Sequence, residues 1–175
     1  MHLNVLNEYK VIAITHHRVP LEEVGKYHIA PEEQPARLLA IKETPGISEL
    51  LYLSTCNRVE FLLISSRAGD PDFVRQFFSR FNPKWDNKLI DQEALVLEGE
   101  AAVRHVFRVA SSLDSLVIGE REIITQVRQA HVACAENQLS GDGIRLLMRK
   151  VVEASKEVFT QNQISHNPVS VVSLA

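Results

Sequence analysis

The 175-residue chain contains only two cysteines, seven glycines and one tryptophan, and each scarcity excludes something. Two cysteines at unrelated positions, Cys56 and Cys134, cannot form the dense disulfide framework of a small secreted domain, so a reducing cytosol is the expected home. With seven glycines the chain has no G-x-G-x-x-G and no Walker motif, and thus no glycine-rich phosphate loop. No apolar run approaches the roughly 20 residues of a membrane helix. The opening Met1-His2-Leu3-Asn4 lacks the basic start and apolar core of a secretory signal. Neither sign of charge dominates. At a net charge of −3 there is no general attraction to nucleic acid, so an RNA partner needs a local patch. His131 and Cys134 form only one pair at a metal-compatible spacing, and no metal is expected.

What is present describes a folded domain. Hydrophobic residues make up 45% of the chain and charged residues 23%, enough for one ordinary core, with or without a helical extension. Tyr9 to Thr15 reads as a first strand, Glu49 to Leu53 and Glu60 to Ser65 as a second and third, and Ala94 to Leu97 as a fourth. Helices are expected at Leu21 to Lys26, at Pro31 to Glu43, and after Asp70-Pro71, where Phe73, Phe77, Phe78 and Phe81 recur at helical spacing. The order β-α-β-β-α-β predicts an α+β fold, a ferredoxin-like antiparallel sheet over about residues 8–98. Helices follow at about Ala101 to Leu113, Glu120 to Asn137 and Ile144 to Gln161, giving a C-terminal helical extension. Asn167-Pro168 reads as a helix cap and first turn, so residues 166–175 are expected to begin a linker helix.

Between the second and third strands lies Ser54-Thr55-Cys56-Asn57-Arg58-Val59-Glu60. A polar turn there displays the Cys56 thiol. Arg58 supplies a positive charge that favours a thiolate, and its fork matches an anionic substrate. A hairpin turn with a small residue and a nucleophile loop both fit this stretch. Cys134, on an apolar helix face, reads as packing. His105 sits at the edge of its helix's apolar stripe, and a surface imidazole and a functional one both remain open. His16-His17 leaves the first strand with either ring free to face a site. On these residues alone two functions are compatible: a cysteine hydrolase with a Cys56–His105 dyad and a non-catalytic RNA-binding module.

Thr55-Cys56-Asn57-Arg58-Val59-Glu60 resembles the active-site motif of the glutamyl-tRNA reductase family. The block from His105 to Glu120, continuing to Gln126-Val127-Arg128, and the stretch Ile14-Thr15-His16-His17-Arg18-Val19-Pro20 are similar to that family as well. The resemblance covers nearly the whole chain. It implies NADPH-dependent reduction of glutamyl-tRNA(Glu) to glutamate-1-semialdehyde through a cysteine thioester, at the start of tetrapyrrole synthesis in the cytoplasm. It implies Cys56 as nucleophile and His105 as the second catalytic residue. Thr55, Asn57, Arg58, Ser115, Glu120, Arg121, Glu122 and Gln126 fall at glutamate-binding positions. Residues 1–165 then form the catalytic domain, and NADPH belongs to a further domain. The full-length family enzymes imply a homodimer, with glutamate-1-semialdehyde aminotransferase as a channelling partner. The chain departs from the family pattern at Arg121-Glu122, where Pro-Gln is usual, and at Ser112, where a glycine is usual. Glu122 is expected to turn outward or to meet the substrate's amino group.

Overall fold

The computed structural model describes residues 3–67 and 69–161; the expected linker helix at 166–175 lies outside them. The elements run α1 Leu3–Leu6, β1 Tyr9–Thr15, α2 Leu21–Val24, a 3-10 turn Gly25–Tyr27, α3 Gln34–Lys42, β2 Ile47–Thr55 and β3 Arg58–Ser65. They continue with α4 Pro71–Phe81, α5 Asn87–Glu93, β4 Ala94–Glu98, α6 Gly99–Ala110, α7 Glu122–Glu136 and α8 Asp142–Gln161. Helix α3 starts later than Pro31 because Pro35, not Pro31, occupies its first turn. Helix α5 has no periodic apolar face to announce it. It forms on an Asp86 cap, whose carboxylate accepts from the Leu89 amide at 2.9 Å, and buries only Ile90.

The four strands make one sheet in the order β2-β3-β1-β4, every neighbouring pair antiparallel. Both central strands are buried at every position. Alternation explains how. Phe61 points towards α4, its ring 5.0 Å from Phe77 and 4.9 Å from Phe81. Glu60 points the other way, towards His105 on α6. On β1, Tyr9 donates its hydroxyl to Gly143 O of α8 at 2.9 Å, while Lys10 lies over the Phe73 ring of α4 and pairs with Glu98. With helices on both faces, the central strands read as nearly continuous apolar runs.

The two helices after α6 are fastened to β2. Helix α7 ends with Gln138 at φ 57, and Leu139 N donates to Cys134 O at 2.9 Å, a left-handed cap. That cap sets Leu139 O against the outer edge of β2, where Leu50 N donates to it at 2.8 Å. Two residues on, Tyr52 N donates to Cys134 Sγ at 3.4 Å. Glu49 of β2 then caps α8: its carboxylate accepts from Gly141 N at 2.9 Å, Gly143 N at 3.0 Å and Ile144 N at 2.8 Å. A carboxylate is well placed at these unpaired amides and at the positive end of the helix dipole. A Cβ at Gly143 would overlap the tip of the Ile64 side chain, so glycine lets α8 approach the sheet with Ile64 in its present place.

Candidate active site

Thr55 and Arg58 face each other across the β2–β3 pair, so Cys56 and Asn57 form a two-residue turn. Neither has a positive φ. The turn is held from within, Thr55 donating its hydroxyl to Asn57 Oδ1 at 2.7 Å and accepting from Asn57 N at 3.4 Å. Asn57 O in turn accepts from His16 N at 3.1 Å, with His16 Nδ1 3.3 Å away. Thus one histidine of the pair docks on the cysteine turn, and His17 stays largely exposed. Thr55 and Asn57 are buried by these contacts while Cys56 is exposed.

The second wall comes from the stretch after α6. Ser112 takes φ 59, the left-handed conformation that favours glycine, while Ser112 N donates to Val109 O and Leu113 N to Arg108 O. Serine offsets that strain with its hydroxyl, which donates to Val117 O at 3.2 Å and accepts from Gly119 N at 3.1 Å. The loop so closed brings Ser115, Leu116 and Val117 opposite the turn. Together with the first turns of α7 they enclose a cavity of about 350 Å³, lined by Thr55, Cys56, Asn57, Ser115, Glu120, Glu122 and Gln126, among others. That volume lies within the roughly 300–1,000 Å³ of small-ligand sites. Glu122 is exposed and lies on the rim of the cavity. Burial and the adjacent Glu122 carboxylate raise the Glu120 carboxyl above its ordinary range.

Arg58, His105 and Arg121 are not among the residues lining this cavity. Arg58 is fully buried. It contacts Glu60 Oε2 at 3.4 Å and Asp114 Oδ2 at 3.1 Å, and also donates to Asp114 O, while its Nε has no partner. His105 is also buried, its Nε2 2.9 Å from Glu60 Oε2. Burial pulls the imidazole pKa down, but the hydrogen bond and charge of Glu60 outweigh it and leave it raised. Burial likewise pushes Glu60 up, and His105 and Arg58 bring it below the usual carboxylate range. Both directions describe one ion pair within an Arg58–Glu60–His105–Asp114 cluster. The geometry therefore does not assemble a Cys56–His105 dyad. Arg121 lies elsewhere, its guanidinium carbon 5.9 Å from the Phe159 ring centre.

Glu60 and Asp114 had no assigned role in the sequence reading, yet they organise the cluster. One signal for Glu60 was available. Arg58 and Glu60 stand two apart in an otherwise apolar strand, so they share a face and need partners if that face is covered. Nothing local to Asp114 announces its contact with Arg58, 56 residues away.

The cysteines differ as their positions predict. Cys134 is 3% exposed, burial raises its thiol pKa, and its sulfur is used by the Tyr52 amide. Iodoacetamide on the native protein should modify Cys56 and spare Cys134, with sites mapped by peptide mass spectrometry. Faster labelling at Cys134 would reverse both assignments.

Comparison with known proteins shows the family of the chain. The family model described as glutamyl-tRNAGlu reductase, N-terminal domain, matches residues 12–162. A glutamyl-tRNA reductase of Deinococcus radiodurans is 36% identical over 168 residues, 96% of this chain and 45% of the relative. Glutamyl-tRNA reductase 2 of Anaeromyxobacter dehalogenans is 32% identical over 94% of this chain and 35% of its own length. Among solved structures, the glutamyl-tRNA reductase from Methanopyrus kandleri superimposes with a TM-score of 0.77 at 29% identity, covering 94% of this chain and 37% of that one. The chain thus spans less than half the length of these relatives.

Proposed function

Because the chain belongs to the family of glutamyl-tRNAGlu reductase N-terminal domains, we propose that it is the glutamate-recognising, thioester-forming part of an enzyme that reduces glutamyl-tRNA(Glu) to glutamate-1-semialdehyde. The observation that carries this reading is the exposed Cys56 thiol on a small cavity whose other walls are Ser115, Glu120, Glu122 and Gln126. The Cys56 thiolate attacks the ester carbonyl that joins glutamate to the tRNA ribose. The tetrahedral adduct collapses to a thioester, and the ribose oxygen leaves as the hydroxyl with a proton from solvent. Glu120, whose carboxyl pKa is raised by burial and by the neighbouring Glu122 charge, suits with Glu122 the α-ammonium of the glutamyl group, which favours the ionised form of Glu120. Arg58 can take the substrate side-chain carboxylate only in exchange for the Asp114 carboxylate that now holds it. His105, buried against Glu60, acts in this reading through the Arg58 cluster.

The strand order β2-β3-β1-β4 supports a ferredoxin-like reading of the sheet, with residues 1–165 as one catalytic domain. NADPH supplies a hydride when bound, but the residues here do not fit it. Gly99, at the junction of β4 and α6, is a lone glycine between the acidic residues Glu98 and Glu100, and the α8 N-terminus is filled by Glu49. The reduction is therefore assigned to a further domain. Dimerisation, a cytoplasmic location and passage of the semialdehyde to an aminotransferase belong to the same proposal for the whole enzyme. No helix among the described residues is long and apolar enough to cross a membrane.

Incubation of the chain with glutamyl-tRNA followed by intact-mass and peptide analysis should find a glutamyl adduct on Cys56. An adduct elsewhere, or none under conditions that preserve thioesters, would sink the assignment. A hydrolase reading has less support, since His105 is engaged by Glu60 away from the cavity.

A further inference from the structure

Between α7 and α8 lies a groove of about 440 Å³ whose rim is basic: Arg128 and His131 come from α7, and Arg145, Arg149 and Lys156 from α8. The three α8 residues are spaced four and seven apart, one stripe of the helix about 16 Å long. The groove's carboxylate, Glu153, is held by Lys150 at 3.0 Å. Arg145 shares Asp142 at 2.8 Å, but Arg128, Arg149 and Lys156 have no carboxylate within ion-pair distance among the described residues. Several exposed basic residues on other helices find acids within their own turn, as Lys26 does with Glu23, Arg75 with Asp72 and Arg104 with Glu100, whereas Lys88 and Arg108 stand singly rather than around one groove. In a chain of net charge −3, four cations around one groove are a local reversal of sign.

We propose that this groove binds RNA phosphates, holding the backbone of the aminoacyl-tRNA whose ester enters the Cys56 cavity. The inference rests on the proposed function and adds the surface that meets the RNA. The thiol cavity and the groove share helix α7: Glu122 and Gln126 line the cavity, and Arg128, about 3 Å further along the axis but roughly 200° round it, opens onto the groove, so an RNA reaching both curves around α7. The α8 stripe, about 16 Å long, is long enough to meet several successive phosphates of one strand. Arginine and lysine unengaged by carboxylates are free to exchange counterions for them. His131 is half-buried and its pKa is lowered by burial, so it adds shape rather than charge at neutral pH. An ordinary solvated helix face would show the same residues but no preference for a polyanion.

The test is fluorescence anisotropy of labelled tRNA(Glu) with the chain over a range of salt, comparing wild type, the double variant Arg128→Gln/Arg149→Gln and the control Arg75→Gln on α4. Protection of the buried Cys134 from alkylation, as in wild type, verifies that the variants are folded. The double variant should bind about tenfold more weakly near 0.1 M salt, with a salt slope lower by about two. The control should match wild type. Equal affinity of the double variant, no RNA binding by wild type, or displacement of tRNA by polyglutamate at equal charge would overturn the proposal, the last in favour of an acidic protein partner. The Cys56 adduct is measured in parallel. If wild type forms the adduct while the double variant binds and reacts equally, the groove assignment fails and the catalytic reading stands. If wild type binds through the groove but never acquires a glutamyl group, the catalytic reading fails instead.

Discussion

Replacing Cys56 with serine should lower cleavage of glutamyl-tRNA by this chain by at least about a thousandfold. With no hydride delivered to a thioester here, water is the remaining acceptor, and the expected activity is slow release of free glutamate. Each turnover still begins at the sulfur. A serine hydroxyl needs a general base to become a comparable nucleophile, and the cavity offers only the Glu120 and Glu122 carboxyls. His105 does not supply that base, being held by Glu60 outside the cavity. Folding should be untouched, since the side chain is exposed in a turn held by Thr55 and Asn57. Single-turnover assays of labelled glutamyl-tRNA, corrected for spontaneous hydrolysis, give the comparison. Undiminished cleavage by the serine variant would move the chemistry to another residue.

The second large effect concerns stability. Glu60→Ala removes the carboxylate shared by His105 and Arg58, leaving the buried imidazole without its partner and the buried guanidinium with Asp114 alone. Breaking a buried pair by deleting one member costs about 3–5 kcal/mol. In a domain of this size that corresponds to a melting temperature lower by roughly 6–20 °C. The pH dependence has a definite sign. Glu60 is lowered from 4.5, so its contribution is present above that value and lost as pH falls through the folded pKa. His105 is raised from 6.5, so its contribution is full below 6.5 and lost as pH rises through the folded pKa. The pair therefore stabilises most in the mildly acidic window between 4.5 and 6.5. In Glu60→Ala, burial and the Arg58 charge should carry the His105 pKa below 6.5, as read by NMR titration of its ring protons. A His105 that still titrated above 6.5 in the variant would show that Glu60 is not the cause.

Local patterns were legible in the sequence, and encounters across the chain were not. The run Tyr9 to Thr15 gave β1 with the bounds observed, and the four phenylalanines of α4 gave a buried face as observed. The polar break between β2 and β3 located an exposed cysteine. The strands flanking that break are longer than expected, since the apolar pattern ends before the pairing does: Ser54 and Thr55 still pair with Val59 and Arg58. His105 looked peripheral because a helix stripe records its own neighbours and not a carboxylate 45 residues earlier. Arg58 looked free to meet a ligand for the same reason. Its Asp114 partner arrives on a loop whose course depends on a left-handed serine, which composition gives no reason to expect.

The attachment of α7 to β2 bears on how the chain emerges during synthesis. The sheet is complete in sequence at Glu98, but the acceptors for the outer β2 amides come much later, Cys134 lying 82 residues beyond Tyr52. Until then the nascent sheet presents an unprotected edge, the kind of template on which another polypeptide can add a strand. Helix α7 and its cap therefore act as a late guard against aggregation. Any chain released before Leu139 would carry the apolar strand Leu50-Leu51-Tyr52-Leu53 with its edge bare.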